Sequence, residues 1–351
     1  MSTEVPADAD ATAPSPWSKV AAAVALLTVI ISVLLTAFAW PSVRSSVHDV
    51  PIAVVGPAVA TSQISAAIEQ RLPDAFDITT VANTAAAEQL IRDREVYGAI
   101  DVSAGTPQVI TASAASASVA QTLQSVGTAL NQAQAQGAGT AVTVRDLVAL
   151  PADDPRGAGL AAGALPLVMG GLLAAFLLSN RLKGTGRRVT GALAFAVVGG
   201  LVLTAILQFC LGSLSGSYLA NSSAVALSIA ATSLTLLGLE SLLGYAGFGL
   251  GSVTMMLIGN PLSGSGSAPE MLPGWSGTLG QLLPPGAGVQ LLRSTAFFDG
   301  AGATNTVIVL TSWLVFGVGL CVVGGLRARQ AAIITAGDSG MADLPRTTTT
   351  A

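Results

Sequence analysis

Four residues outside the first apolar run have side chains that could perform hydrolytic chemistry. Two serines, the only histidine of the chain and an aspartate stand together at Ser45, Ser46, His48 and Asp49. A serine nucleophile needs a histidine base, a positioned third group and an oxyanion site. A linker beside a membrane helix supplies neither of the last two, so we expect no catalysis here.

The rest of the sequence offers no other catalytic constellation. No His, Cys, Asp and Glu residues cluster at metal-ligand spacing, and no glycine-rich loop is followed by lysine. Cys210 and Cys321 lie inside apolar runs, where cysteine is typically a packing residue. The sequence therefore predicts a protein that is not an enzyme and binds no metal or other cofactor.

Composition narrows the class of protein. Of 351 residues, 51% are hydrophobic and only 10% are charged, against about 25% charged in soluble domains. Mean hydropathy is +0.68. The net charge of −4 gives no support to a nucleic-acid partner. These values predict a polytopic α-helical membrane protein, and the abundance of Ala, Gly and Arg favours a bacterial source.

Six apolar runs are predicted to be membrane helices, because about 20 helical residues cross a hydrocarbon core of about 30 Å. The first, residues 18–40, has Trp17 and Trp40 at its ends, where the two interfaces favour tryptophan. Ala37-Phe38-Ala39 leaves a cleaved signal peptide as the alternative, although the long run and acidic leader favour an anchor. The other runs are Gly159–Leu178, Val189–Leu211, Ala224–Leu239, Leu242–Ile258 and Thr304–Leu326, with a tight turn expected at residues 238–241.

Basic residues near the helix ends predict the orientation. Residues 181–188 contain four basic residues and no acid, Arg327 and Arg329 follow the last run, and Lys19 opens the first. With six helices all three groups lie on one side, which the positive-inside rule makes the cytoplasm. We therefore expect a plasma-membrane protein with a disordered cytoplasmic leader (1–17) and tail (327–351).

The polar stretch 41–158 is predicted to be an extracytoplasmic α/β domain between the first two membrane helices. Strand-like and helix-like patterns alternate along it, which favours at least partly parallel pairing. The predicted strands are Ile52–Val55, Asp77–Val81, Tyr97–Val102, Gln108–Thr111 and Thr140–Val144, and the predicted helices are Ser62–Leu72, Thr84–Arg94 and Ser116–Gln136.

Residues 159–326 are predicted to form a five-helix bundle that contains an irregular element at 260–293. This element is too broken by Pro and Gly to span the membrane and too apolar for an ordinary loop. Irregular backbone at membrane depth must be buried in protein or line a wet cavity, so the sequence favours a re-entrant or interfacial hairpin. A Pro-rich loop over the end of the bundle is the alternative. The candidate exit residues are Asn260, Pro261, Ser263, Gly264, Pro284, Pro285, Gly286 and Arg293.

Two smaller groups of residues complete the candidates. Glu240 is expected in the cytoplasmic turn, where it forms a docking surface with Arg181, Arg187 and Arg188, or is merely solvated. Gly247 and Gly251 match G-x-x-x-G, which permits close helix packing within the bundle or between two chains.

The layout resembles the type 2 ABC exporter permeases, and within them the phage infection protein (Pip-like) branch. The resemblance covers residues 20–326 and depends on short motifs in a fixed order. The motifs are Val96-Tyr97-Gly98-Ala99-Ile100, Asp153-Asp154-Pro155-Arg156-Gly157, Asn260-Pro261-Leu262-Ser263-Gly264, Leu283-Pro284-Pro285-Gly286-Ala287, Arg293 and Phe298-Asp299-Gly300.

This resemblance implies a homodimer, or a heterodimer with a similar permease, that exports a lipid, drug or envelope precursor. The chain has no G-x-x-x-x-G-K-[ST] phosphate loop, so a separate ATPase subunit must supply the energy. Membrane lipid is the other expected partner. The alternative is a non-transporting envelope scaffold or surface receptor that binds a partner through its outer domain, which requires no ATPase.

Overall fold

A computed structural model describes residues 15–104, 106–135 and 141–342. Of the predicted disordered leader, these ranges include only residues 15–17. Three other predicted parts also lie outside them: Thr140 of the last predicted strand, Gln136 of the preceding helix and residues 343–351 of the predicted tail. In chain order the elements are α1 (Trp17–Arg44), β1 (Val50–Val55), α2 (Ala58–Arg71), β2 (Phe76–Val81), α3 (Thr84–Arg92), β3 (Gly98–Asp101), β4 (Gln108–Thr111), α4 (Ala117–Ala135), β5 (Thr143–Asp146), α5 (Ala158–Arg181), α6 (Thr185–Ala205), α7 (Tyr218–Leu243), α8 (Tyr245–Val253), α9 (Ser276–Gln281), α10 (Pro284–Phe297) and α11 (Ala303–Ala342).

Five helices are long and apolar enough to cross a membrane, as expected of a multi-pass membrane protein: α1, α5, α6 with its π-helical extension to Cys210, α7, and α11 as far as Ala331. The predicted span Leu242–Ile258 forms a shorter apolar helix, Tyr245–Gly259, made of α8 and a π-helical end. Its fifteen residues cover about 22 Å, less than a hydrocarbon core of about 30 Å.

Helix α7 lies at the centre of the bundle. Its apolar window is 78% buried, and it packs against α5, α6, α8, α10 and α11. Some of its buried hydroxyls bond to backbone carbonyls, as Thr232 Oγ1 donates to Ser228 O at 3.0 Å. Helix α1 differs, since none of its apolar window is buried and its contacts with the bundle are at the π-helical end of α8.

The α/β domain is a five-stranded mixed sheet in the order β2-β1-β3-β4-β5. All its pairings are parallel except β3 with β4, in line with the partly parallel pairing expected from the sequence. Helices α2 and α4 cover one face with Ile68 and Leu123, and α3 covers the other with Ile91. Asn83 caps α3 by accepting from Ala86 N–H at 2.8 Å.

The core of this domain includes residues from the far end of the chain. Ala268 and Met271 join the α2/α4 side of the core, and Phe298 joins the α3 side. Residues from either side of α10 therefore pack into the domain, which ties the sheet to the predicted re-entrant element.

Two expectations about the chain's turns and ends are wrong. The turn predicted at residues 238–241 is helical, and the break lies at Gly244, whose φ of +63° suits glycine. The tail predicted to be disordered is helical from 327 to 342 as part of α11. Ala, Arg and Gln after residue 326 are good helix formers, and the first proline beyond them is Pro345.

Candidate functional site

Helix α10 runs beside the membrane-length helices instead of covering the end of the bundle. Two prolines begin it, where a missing N–H and a fixed φ favour a first helical turn. It packs against α7 and α11, and Trp313 Nε1 donates to Leu282 O at 2.8 Å just before it begins. Trp313 is ten residues beyond Ala303, or about 15 Å along α11.

The Pro and Gly residues of this element are close-packed. The Pro285 ring lies against Gly259, where an added Cβ would be 2.7 Å from Pro285 Cγ. Gly286 approaches Gly280 so closely that an added Cβ would be 2.8 Å from Gly280 C. Because Gly259 and Gly286 have no side chain, the first turn of α10 can pack against the π-helical end of α8 and against α9.

The remaining candidates of the element lie at its other end. Asn260, Pro261 and Gly264 line a cavity of about 400 Å³ with Phe38 and Pro41 of α1. Ser263 is buried and its carbonyl accepts from Gln281 Nε2 at 3.1 Å. Pro284 and Arg293 are not at this cavity, so the structure distributes the predicted exit residues over two places.

Arg94 connects the α/β domain to α10. It lies just after α3 with a φ of +63°, which directs the chain back towards strand β3. Its guanidinium donates to Gln290 O at 3.1 Å, to Gln290 Oε1 at 2.7 Å and to Ser294 Oγ. It also lies 5.3 Å from the centre of the Phe298 ring, a cation–π distance. Burial lowers the pKa of Arg94, yet these four contacts hold the side chain against α10.

A second polar contact lies beside the first. Tyr97 Oη donates to Glu270 Oε2 at 2.7 Å, and burial, then the charge of Glu270, raises the pKa of Tyr97. Arg293 is 5% exposed and donates to Ser265 O at 3.2 Å. Burial and the charge of Arg94 lower the pKa of Arg293 to about 10. The charge of Glu270 acts on both guanidinium groups, although no ion pair joins it to either of them among the described residues.

A cavity of about 740 Å³ opens between the α/β domain, the 260–293 element and α11. Arg94, Tyr97, Glu270 and Gln290 line its polar side, and His48 and Asp49 also line it. Its apolar side is formed by Leu282, Ile308 and Val309. Gln290 is 6% exposed, and its Nε2 has no hydrogen-bond partner among the described residues. The lining therefore combines a polar side, with one arginine and two carboxylates, and an apolar side, which suits an amphipathic molecule.

His48 and Asp49 of the Ser/His/Asp group line this cavity, whereas Ser45 lines the cavity of about 400 Å³. His48 Nδ1 lies 3.0 Å from the Ser46 carbonyl oxygen and 3.4 Å from Ser46 Oγ. Within the described ranges, no three His, Cys, Asp or Glu residues are grouped so that they could hold a metal ion.

The predicted docking residues lie at the end of the bundle away from the sheet. Glu240 was expected in a turn, but it belongs to the last turns of α7. There it accepts from Ser179 Oγ and lies 3.9 Å from Arg188 Nη1. Arg188 also donates to Ser179 O at 2.7 Å. Glu240 and Arg188 thus connect the end of α7 with the start of α6, and both bond to Ser179 of α5, while Arg181 and Arg187 are exposed.

The glycines of the G-x-x-x-G motif face α7. A Cβ at Gly251 would lie 2.6 Å from Leu236 Cδ2, and one at Gly247 would collide with the Leu239 backbone. Both are used for packing within the chain.

Sequence reasoning did not single out Arg94, Glu270 or Gln290. Arg94 follows an ordinary amphipathic helix, and its partners are 196 and 200 residues away. One available signal was the polar stripe Gln290, Arg293 and Ser294, whose i, i+3, i+4 spacing puts three hydrogen-bonding side chains on one face of a buried helix.

No protein-family model, curated protein or solved structure matches this chain.

Proposed function

We propose that this chain is the permease-like transmembrane subunit of an ABC-type exporter in the bacterial plasma membrane, with a separate ATPase chain. It moves an amphipathic lipid, drug or envelope precursor outward. Its membrane segments are the five long helices and the shorter Tyr245–Gly259, its termini are cytoplasmic, and its sheet domain lies outside. The motif order and the packing of α10 against α7 and α11 support this assignment.

The observation that carries the proposal is the attachment of Arg94 to α10. A buried helix beside α7 and α11 is bonded to an aqueous domain through Gln290 and Ser294. On this proposal, movement of the domain displaces α10, whose Gln290 lines the 740 Å³ cavity. A transporter needs such coupling between an outer domain and an exit at membrane depth.

The same cavity indicates the chemistry of the cargo. Its polar side, with Arg94, Tyr97 and Glu270, favours a hydrogen-bonding head group, and Leu282, Ile308 and Val309 favour an apolar tail. The dimer expected of such a permease would use α1, since twelve of its large apolar side chains are more than 40% exposed in one chain.

Purification from native membranes in mild detergent, with mass spectrometry of co-purifying chains, tests the proposal. We expect a stoichiometric subunit that carries its own phosphate loop. The R181A/R187A variant should lose this subunit because both side chains are exposed at the proposed docking end, whereas the matched surface variant R71A on the sheet domain should keep it. Reproducible absence of any ATPase from the unmodified protein would contradict the proposal.

One observation favours a scaffold or receptor instead. A groove of about 440 Å³ runs between α2 and α4, lined by Ile64, Leu72, Val126 and Leu130. Apolar grooves of this kind bind partner chains. An envelope protein that co-purifies in place of an ATPase, and is lost in V126E, would support this second function.

The orientation gives a separate prediction. In a C210S background, a cysteine at Thr185 should react with a membrane-impermeant thiol reagent only from the cytoplasmic side, because it lies in the basic loop region. The native Cys321 is only 2% exposed and should not interfere. A cysteine at Ser62 on α2 is the matched control and should react only from outside. Labelling of Thr185→Cys from outside would show the topology to be wrong.

The paired prolines give another prediction. P284A/P285A should insert into membranes normally but reduce cargo-stimulated ATPase activity of the complex at least about tenfold, because Pro285 fixes the start of α10 against Gly259. Pro57, which caps α2 in the sheet domain, provides the control variant P57A, whose activity should be unchanged. Full activity of P284A/P285A would refute a gating role for this element.

A further inference from the structure

The end of the bundle away from the sheet contains a second cavity, of about 870 Å³, between the start of α6 and the end of α11. We propose that this cavity binds an anionic phospholipid, with the phosphate at its basic rim and an acyl chain along α11. The inference is independent of transport and of which leaflet this end faces.

The rim of the cavity is basic. Lys183, Arg187 and Arg329 line it, and its lining contains no carboxylate. Glu240, an acid at the same end of the bundle, lies near Arg188 and Ser179. Three cations in a lining without carboxylates at one membrane boundary attract anionic head groups by about 1 kcal/mol each.

The backbone at the rim adds hydrogen-bond donors. Gly184 precedes α6 without any side-chain cap, and the first intrahelical donor is Arg188 N–H, which bonds to Gly184 O at 3.3 Å. The preceding N–H groups at the positive end of α6 therefore point towards the same rim as Lys183 and Arg187. They complement the side-chain cations.

The wall below the rim is apolar and has the length of an acyl chain. Val318, Val322 and Leu326 line it along α11, and Val322 and Leu326 are 54% and 55% exposed. From Val318 to Arg329 the helix rises about 16 Å, close to half of a hydrocarbon core of about 30 Å. A free phosphate or an acidic peptide would leave this wall uncovered, whereas a phospholipid covers rim and wall together.

Native mass spectrometry of the purified full chain with phosphatidylglycerol or phosphatidylcholine tests the inference. We expect the unmodified protein to retain phosphatidylglycerol preferentially and the K183Q/R187Q/R329Q variant to bind it more than about tenfold more weakly. The control R181Q/R327Q removes two exposed charges from the same end that do not line the cavity. It should keep the preference. Equal loss in both variants would show non-specific attraction and overturn the site.

A second variant tests the acyl-chain wall without changing any charge. V322W fills the groove beside Leu326 and should reduce phosphatidylglycerol binding severalfold. Glycerol 3-phosphate, a soluble head group, should not compete for the unmodified protein. Undiminished lipid binding by V322W, or full competition by glycerol 3-phosphate, would establish an anion site and overturn the lipid assignment.

Discussion

Replacing Arg94 by alanine should release α10 from the sheet domain and destabilise the protein by about 2–4 kcal/mol. The side chain makes three hydrogen bonds to Gln290 and Ser294 and covers the Phe298 ring. Hydrogen bonds to a charged donor are strong, and their loss leaves Gln290 Oε1 with only the 3.5 Å bond from Arg293 Nη1 and removes the Arg94 bond from the buried Ser294 Oγ. Hydrogen exchange should accelerate in residues 284–297 and thermal unfolding should occur at lower temperature.

Arg92 provides the matched control for this experiment. It lies two residues earlier, its side chain is 51% exposed, and it pairs with Glu88 at 2.9 Å on the same helix. An exposed pair of this kind contributes about 0–1 kcal/mol, so R92A should leave exchange in α10 unchanged. If R94A and R92A behaved alike, Arg94 would not hold α10 to the domain. The proposed coupling would then lose its physical basis.

The sheet domain was predictable because its elements are local. Alternating apolar residues and an Asn83 cap define the strands and α3 within short windows, and the structure has all five strands near their predicted places. The sequence could not place Ala268, Met271 and Phe298 in the domain core. Contacts between segments so far apart have no local periodicity.

In the bundle, local sequence patterns did not predict where two of the helices begin and end. Gly238-Leu239-Glu240-Ser241 has the composition of a turn, but α7 continues because Glu240 is bonded by Ser179 and lies near Arg188 at the start of α6. Pro284-Pro285-Gly286 likewise indicates irregular chain, although prolines at the first two helical positions start a helix. In both places the tertiary partner decides the structure, and single-segment propensity cannot identify that partner.

A clear packing effect is expected at Gly288, where α10 packs against α7. An added Cβ would lie 2.9 Å from Ser228 Cβ and closer to its Oγ, so G288A should force the two helices apart. Overpacking of this kind costs about 1–3 kcal/mol, although alanine by itself favours a helix by up to about 1 kcal/mol. Gly170 of α5 has nothing within 4 Å of an added Cβ, so G170A is the control and should be neutral or stabilising.

A compensating change at Ser228 identifies the contact itself. S228G removes the atoms that meet the new methyl group, at a helix-propensity cost of about 0.5–1 kcal/mol, and the G288A/S228G double variant should regain most of the stability lost in G288A. Thermal unfolding of the four proteins forms a double-mutant cycle whose coupling energy isolates this pair. Additive effects would mean that α10 does not cross α7 at Gly288. Recovery of stability in the double variant would place α10 against the middle of α7, a buried helix of membrane length. A re-entrant element must lie at this depth to reach the cargo.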